Sequence, residues 1–353
     1  MIVLDAHQDI AYNYLKFDRD YRRSALVART QEPPETRAAT IGLPEALAGR
    51  VAVVFSTLFV APVESDDWKP TGREKAYSTP QEAYSYALEQ LDYYQRMADE
   101  TDKLTLIKDA AALNAVLATW GPDADILKRK QGLVVLMEGA DPILEPRQFE
   151  EWYGRGVRIV GTAWQATRYS GGTGHPGGLT KLGRELLEVM ASFNAMLDLS
   201  HMAEQAFLES VDRYEGVMIA SHSNPRKFCN TDRHLSDEMI RKLADRGGVM
   251  GIVLYNRFLS NTWKRGDPKN DITLATVADA IDHVCQITGS AAHVGLGSDF
   301  DGGFGTESIP AELDTVADMI KIGEVLRERG YSEPNIEGIM SGNMLRKVRQ
   351  VLK

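Results

Sequence analysis

Eight short apolar runs, rich in β-branched residues, alternate along this chain with longer segments of helical periodicity. The runs are Ile2–Leu4, Val51–Val60, Leu133–Met137, Val157–Thr162, Met196–Leu199, Val217–Ala220, Val249–Leu254 and Val294–Leu296. Each is continuously apolar rather than alternating, as expected of strands covered on both faces in a parallel sheet with helical connections. Helical patterns fill the intervals at Thr79–Met97, Thr180–Asn194, Ala203–Tyr214, Asp237–Arg246 and Leu274–Thr288, with Ser236 as an N-cap and Gly247-Gly248 as a stop for the fourth. Strand–helix alternation repeated eight times is the pattern of an α/β (β/α)8 TIM barrel, and 353 residues suffice for one. A doubly wound open sheet satisfies the same alternation. Two polar stretches, Val60–Lys75 and the glycine-rich Tyr169–Gly178, read as long loops rather than linkers, so residues 1–353 are expected to form a single domain.

Composition narrows the partners. Forty basic against fifty acidic residues give a formal charge of −10, with no basic excess to neutralise phosphates, which excludes nucleic acid as the main partner. No stretch approaches the about 20 apolar residues of a membrane span. The first ten residues, MIVLDAHQDI, meet an acidic side chain at position 5 and lack the basic start of a signal peptide. Cys229 and Cys285 cannot build a disulfide scaffold or a zinc ribbon. The expectation is a cytoplasmic protein acting on a small molecule.

The chemistry-bearing residues gather at the ends of the runs. His7 and Asp9 follow the first, where a spacing of two puts both side chains on one side of an extended segment. Glu138 ends the third, His201 the fifth, His222 the sixth and Asp299 the eighth. In a parallel barrel these ends share one mouth, where active sites are built. Three imidazoles with two or three carboxylates suit zinc better than calcium or magnesium. Six candidates exceed what one zinc takes, so two ions sharing a bridging carboxylate are expected, with hydrolysis as the reaction. Two readings compete: a metal-free glycosidase using Glu138 and Asp299 as its acid pair, which leaves the histidines unexplained, and a catalytically silent barrel.

The order of DAHQDIAYN, LMEGADPI, LTKLGRELLEVMASFNAMLDLSHM, IASHSNPR, TDRHLSDE and HVGLGSDFDG resembles the membrane (renal) dipeptidase family of metallopeptidases across essentially the whole chain. The resemblance implies an amidohydrolase-like barrel with two zinc ions per chain. His7 and Asp9 would hold one, His201 and His222 the other, and Glu138 would bridge. It also implies Asp299 as the group that shuttles a proton and Arg233 as the anchor for the substrate carboxylate. Family members commonly dimerise, so a homodimer is a further expectation. One departure stands out. GVRIVGTAWQATRYSGG puts Trp164, followed by Gln165, where the dipeptidases have a histidine that binds the scissile carbonyl. An indole donates one hydrogen bond and cannot become cationic. Trp164 and Gln165 are therefore expected to line the substrate pocket, with Tyr255 after the seventh run. The substrate would be a dipeptide or, if Trp164 excludes ordinary dipeptides, another amide such as an N-acyl-D-amino acid. His175 reads as a solvated loop residue, and His283, Cys285 and His293 as structural.

Overall fold

In a computed structural model, described for residues 1–33, 38–63, 65 and 75–352, all eight runs are strands. They are β1 (Val3–Gln8), β2 (Val51–Phe59), β3 (Gln131–Glu138), β4 (Val157–Gly161), β5 (Met196–Asp198), β6 (Val217–Ala220), β7 (Val249–Ile252) and β8 (Val294–Leu296). Neighbours in this order pair in parallel, with helices between most of them, so the barrel holds and the open sheet does not. A further short strand, Leu104–Leu106, pairs with the start of β3 outside the barrel path. The predicted helices lie within three residues of their expected ends; Ser236 caps Asp237–Asp245 by accepting from the Met239 amide.

The continuous apolar runs divide into two sets by strand alternation. Val54, Leu133, Val135 and Met137 point outward into the main core beneath the helices. Leu4, Val53, Phe55, Val134, Leu136 and Ile159 point inward and fill the lower barrel, which Leu345, Val348 and Val351 of the helix Asn343–Val351 close from below. The upper interior is left to polar groups. A register shift between Asp5 and Gln8 breaks the alternation in β1 and lets His7 join the interior beside Ala6.

The seam between β1 and β8 is held mainly by one carboxylate. A single bridge pairs Gln8 with Phe300, and the Asp299 amide donates to the His7 carbonyl at 3.2 Å. Buried Asp5 accepts four hydrogen bonds, from the Ser298 amide (2.7 Å) and hydroxyl (2.5 Å), the Gln8 side chain (2.8 Å) and the His7 amide (3.4 Å). These tie the two strand ends that carry His7 and Asp299.

One sequence expectation changes and a second is left largely untested. Tyr169–Gly178 is not an open loop: Ser170–Gly172 and His175–Leu179 form a small antiparallel hairpin. Any side chain at Gly172 would strike the Gln165 carbonyl at 2.4 Å, so a glycine is what lets this hairpin lie on the Trp164-Gln165 segment. Most of the Val60–Lys75 loop, residues 64 and 66–74, falls outside the described residues. Among the described residues no helix is long and apolar enough to cross a membrane.

Removing the Asp5 carboxylate orphans several buried donors at once. Asp5→Ala is expected to lower stability by at least about 3 kcal/mol. This would be read as a lower urea midpoint at unchanged slope. A loss below about 1 kcal/mol would contradict the seam's dependence on this residue.

Candidate metal centre

The predicted ligands meet at the C-terminal mouth of the barrel, and the position of each has a local cause. Glu138 is the last residue of β3 and faces inward in register with Val134 and Leu136. Asp9 lies past the end of β1, at the N-cap of the helix Ile10–Phe17. Its side chain does not cap; it accepts from the Thr57 hydroxyl at 2.6 Å and turns to the cluster. His7 and Asp9 thus converge through a bulge and a helix start, not through simple strand alternation. His201 (φ 65°) and Asp299 (φ 60°) follow β5 and β8 in left-handed backbone, a conformation that non-glycine residues adopt mainly where surrounding structure enforces it. Gly302 makes room for Asp299, because a Cβ there would lie 2.1 Å from Asp299 Oδ1.

The geometry centres on Glu138. Its Oε1 lies 3.1 Å from His201 Nε2 and 3.2 Å from His222 Nε2, and its Oε2 lies 3.6 Å from His7 Nε2. Asp9 Oδ2 and Asp299 Oδ1 each stand 3.8 Å from the same His7 nitrogen. The Nε2 atoms of His201 and His222 are 3.1 Å apart, and the rings of His7 and His222 stack with centroids 3.5 Å apart. On the far side of the rings, His201 Nδ1 meets the Thr173 hydroxyl at 3.0 Å and His222 Nδ1 the Ser221 hydroxyl at 2.8 Å. Both partners leave Nε2 directed at Glu138. Asp198, at the end of β5, anchors this arrangement by accepting from the Ser221 amide (2.8 Å), the Ser221 hydroxyl and the Ser200 amide (3.0 Å).

These residues fit a divalent cation. His7 is fully buried, and neither of its ring nitrogens has a hydrogen-bond partner among the described residues. Such orphaned groups are rare in proteins. Atoms that share an ion at about 2.0–2.2 Å stand roughly 3–3.5 Å from one another, close to the separations around Glu138. Two triads, His7–Glu138–His222 and His7–Asp9–Asp299, each offer atoms within 4.8 Å of one another. Charge points the same way. Burial drives Glu138 up to about 8 and Asp299 up to about 7, with Asp9 adding to both and His7 and Arg233 opposing. For His7 burial acts against the cation, but Glu138, Asp9 and Asp299 outweigh it and raise the group to about 10. Burial, with Arg233 and His7 adding, holds His201 and His222 well below the usual range. The cluster is acidic and underneutralised, and a cation of charge two relieves it.

A cleft of about 570 Å3 opens above these groups and takes in the predicted substrate residues Trp164, Gln165, Arg233 and Tyr255. Buried Arg233 donates to the His222 carbonyl (2.9 Å) and the Ser223 hydroxyl (3.3 Å). The Trp164 ring packs edge-on against Phe59 at 5.0 Å and stands 6.3 Å from His201, making an apolar wall with Tyr12. His283 pairs with Asp237 and His293 with the Gly248 carbonyl, both away from the mouth. His175 bonds within its own hairpin and is not in the cleft. Sequence reasoning missed Asp5, Asp198, Thr173 and Ser221, the supports of the cluster. Their only sequence signal is position: Asp5 directly follows the run that leads to His7, and Asp198 sits within the run that leads to His201.

The comparisons with known proteins bear on the fold and the family. The mammalian relatives include human Dipeptidase 3, 27% identical over 292 residues, 78% of this chain and 54% of that protein; this chain spans about half its length. "Uncharacterized protein in pqqA 5'region" of Klebsiella pneumoniae is 33% identical over 242 residues, 65% of this chain and 86% of its own length. Among solved structures, a metallo peptidase from Rhodobacter sphaeroides, liganded with a phosphinate mimic of the dipeptide L-Ala-D-Ala, superposes with a TM-score of 0.80. It is 22% identical and is covered over 99% of both chains. The probable dipeptidase PvdM from Pseudomonas aeruginosa gives the same score at 19% identity, over 99% of this chain and 95% of that one. These likenesses establish the TIM-barrel fold. The model of the membrane dipeptidase family (peptidase family M19) matches residues 1–353, and the chain belongs to that family.

Proposed function

We propose that this chain is a dinuclear zinc hydrolase that cleaves dipeptides. The observation that carries the reading is the division of Glu138: one carboxylate oxygen faces His7, and the other faces His201 and His222. His7 and Asp9 would hold one zinc, His201 and His222 the second, and Glu138 would bridge them. Zinc, when bound, supplies Lewis acidity that makes water nucleophilic near neutral pH and polarises the scissile carbonyl. The chain's own residues do the rest. Arg233, with its guanidinium fixed by the His222 carbonyl and Ser223, offers its remaining donors to the terminal carboxylate of the substrate. Asp299, in the cleft beside His7, takes a proton from the attacking water and returns it to the leaving amine. Trp164, Phe59 and Tyr12 exclude water from one wall.

That wall also supports a second reading. With an indole where dipeptidases carry a carbonyl-binding histidine, the same centre would act on another amide, such as an N-acyl-D-amino acid. Metal analysis of the purified protein, with hydrolysis of L,L and L,D dipeptides before and after chelation, separates the two. About two zinc equivalents with chelator-sensitive cleavage support the dipeptidase. Two equivalents without cleavage of any dipeptide transfer the site to the other amide, and a protein that retains no metal overturns both.

Two variants test the roles. Glu138→Gln is expected to lose most of the bound zinc and to lower kcat/KM by more than the about 10–100-fold that loss of an outer partner costs. Retention of both ions would contradict the bridge. Ser221→Ala, which frees His222 Nδ1, is expected to weaken zinc binding about tenfold in chelator competition, with an unchanged circular dichroism spectrum. Unaltered affinity would show that Ser221 does not orient the ring.

A further inference from the structure

The cleft carries charge of both signs. The carboxylates of Asp9, Glu138 and Asp299 lie at the floor, at and just beyond the strand ends. Three guanidiniums, Arg233, Arg257 and Arg265, also line the cleft. Arg233 is buried and serves the proposed carboxylate anchor; the other two are exposed and have no assigned role. Arg257 lies on the short helix Asn256–Leu259 after β7 and makes no hydrogen bond or ion pair with the described residues. Arg265 is held by neutral acceptors only, the Gly303 carbonyl at 3.1 Å and the Tyr255 hydroxyl at 3.4 Å. Tyr255 is itself fixed by parallel stacking on Phe304, with ring centroids 4.3 Å apart. One exposed acidic side chain, Asp232, also lines the cleft; it accepts from the Gly174 amide at 2.8 Å and leaves the three guanidiniums in excess.

We infer that Arg257 and Arg265 form a second anion subsite, which selects substrates whose C-terminal residue is acidic. The inference rests on the dipeptidase reading for its first carboxylate, which Arg233 takes. The second carboxylate, on an aspartate or glutamate side chain, meets the two guanidiniums at the mouth. Both retain free donors, and a guanidinium matches a carboxylate in a two-pronged geometry. Exposed ion pairs are weak, but a bound substrate displaces water from the mouth and leaves the guanidiniums facing an anion at short range. On a chain with a formal charge of −10, a positive wall at the active-site mouth also attracts an anionic substrate that the rest of the surface repels.

The test compares Ala-Asp with isosteric Ala-Asn, in both L,L and L,D forms, on the zinc-loaded enzyme at low and high salt. Calorimetric binding of free aspartate and asparagine runs in parallel. The subsite predicts kcat/KM at least about tenfold higher for the Asp substrate, carried by KM and shrinking as salt rises. Free aspartate should bind more tightly than asparagine. The double variant Arg257→Ala/Arg265→Ala should bring the Asp/Asn ratio close to 1, and Arg257→Lys/Arg265→Lys should restore part of it. Equal handling of Asp and Asn by the unmodified enzyme would overturn the subsite. If no dipeptide is cleaved, the dipeptidase reading falls and binding alone judges the subsite: preference for aspartate that the double variant loses sustains it, and equal binding overturns it.

Discussion

The buried charge at the top of the barrel sets the terms for everything around it. His7, His201 and His222 are brought within 3.1–3.6 Å of Glu138 at a depth where a carboxylate is driven toward its neutral form. Apolar packing cannot hold such a group of donors, since each would prefer water. The lower barrel and the helices therefore supply the stability, and the polar cluster sits where two apolar sets of residues end.

Hydrogen bonding divides the acidic residues of the mouth into two kinds. Asp5, Asp198 and Asp301 are saturated. Asp5 binds Ser298 across the seam and Asp198 fixes Ser200 and Ser221, while Asp301 accepts from the Thr40 amide (2.8 Å) and hydroxyl (2.6 Å) and from Arg19 (3.1 Å). Asp5 and Asp198 tie together chain segments that carry residues of the cluster, and Asp301 fastens the segment after Asp299 to Thr40 and Arg19. Glu138 and Asp299 are the opposite kind, with imidazoles of the cluster as the nearest groups and almost no conventional donors. Saturated carboxylates build the frame, and unsaturated ones face the chemistry.

That division explains what was legible in the residues and what was not. The eight strands could be read because a parallel barrel needs both faces of each strand covered, which leaves uninterrupted apolar runs. The ligand positions could be read because strand ends share a mouth, whatever the details of the closure. Supports such as Ser221 and Thr173 could not be read, since a hydroxyl at a strand end or in a hairpin carries no pattern until its partner is known. The hairpin at Ser170–Gly172 was hidden for a related reason: its glycines signal a loop, but here they permit close contact with Trp164 and Gln165. His7 and Asp9 reach the cluster by a bulge and a helix start, not by the simple strand alternation that their spacing suggests.

The measurement that bears most directly on the central claim is anomalous diffraction at the zinc edge from crystals of the zinc-loaded protein. Two peaks are predicted, one against His7 and Asp9 and the other against His201 and His222, with Glu138 between them. A single peak, or metal bound away from Glu138, would contradict the account.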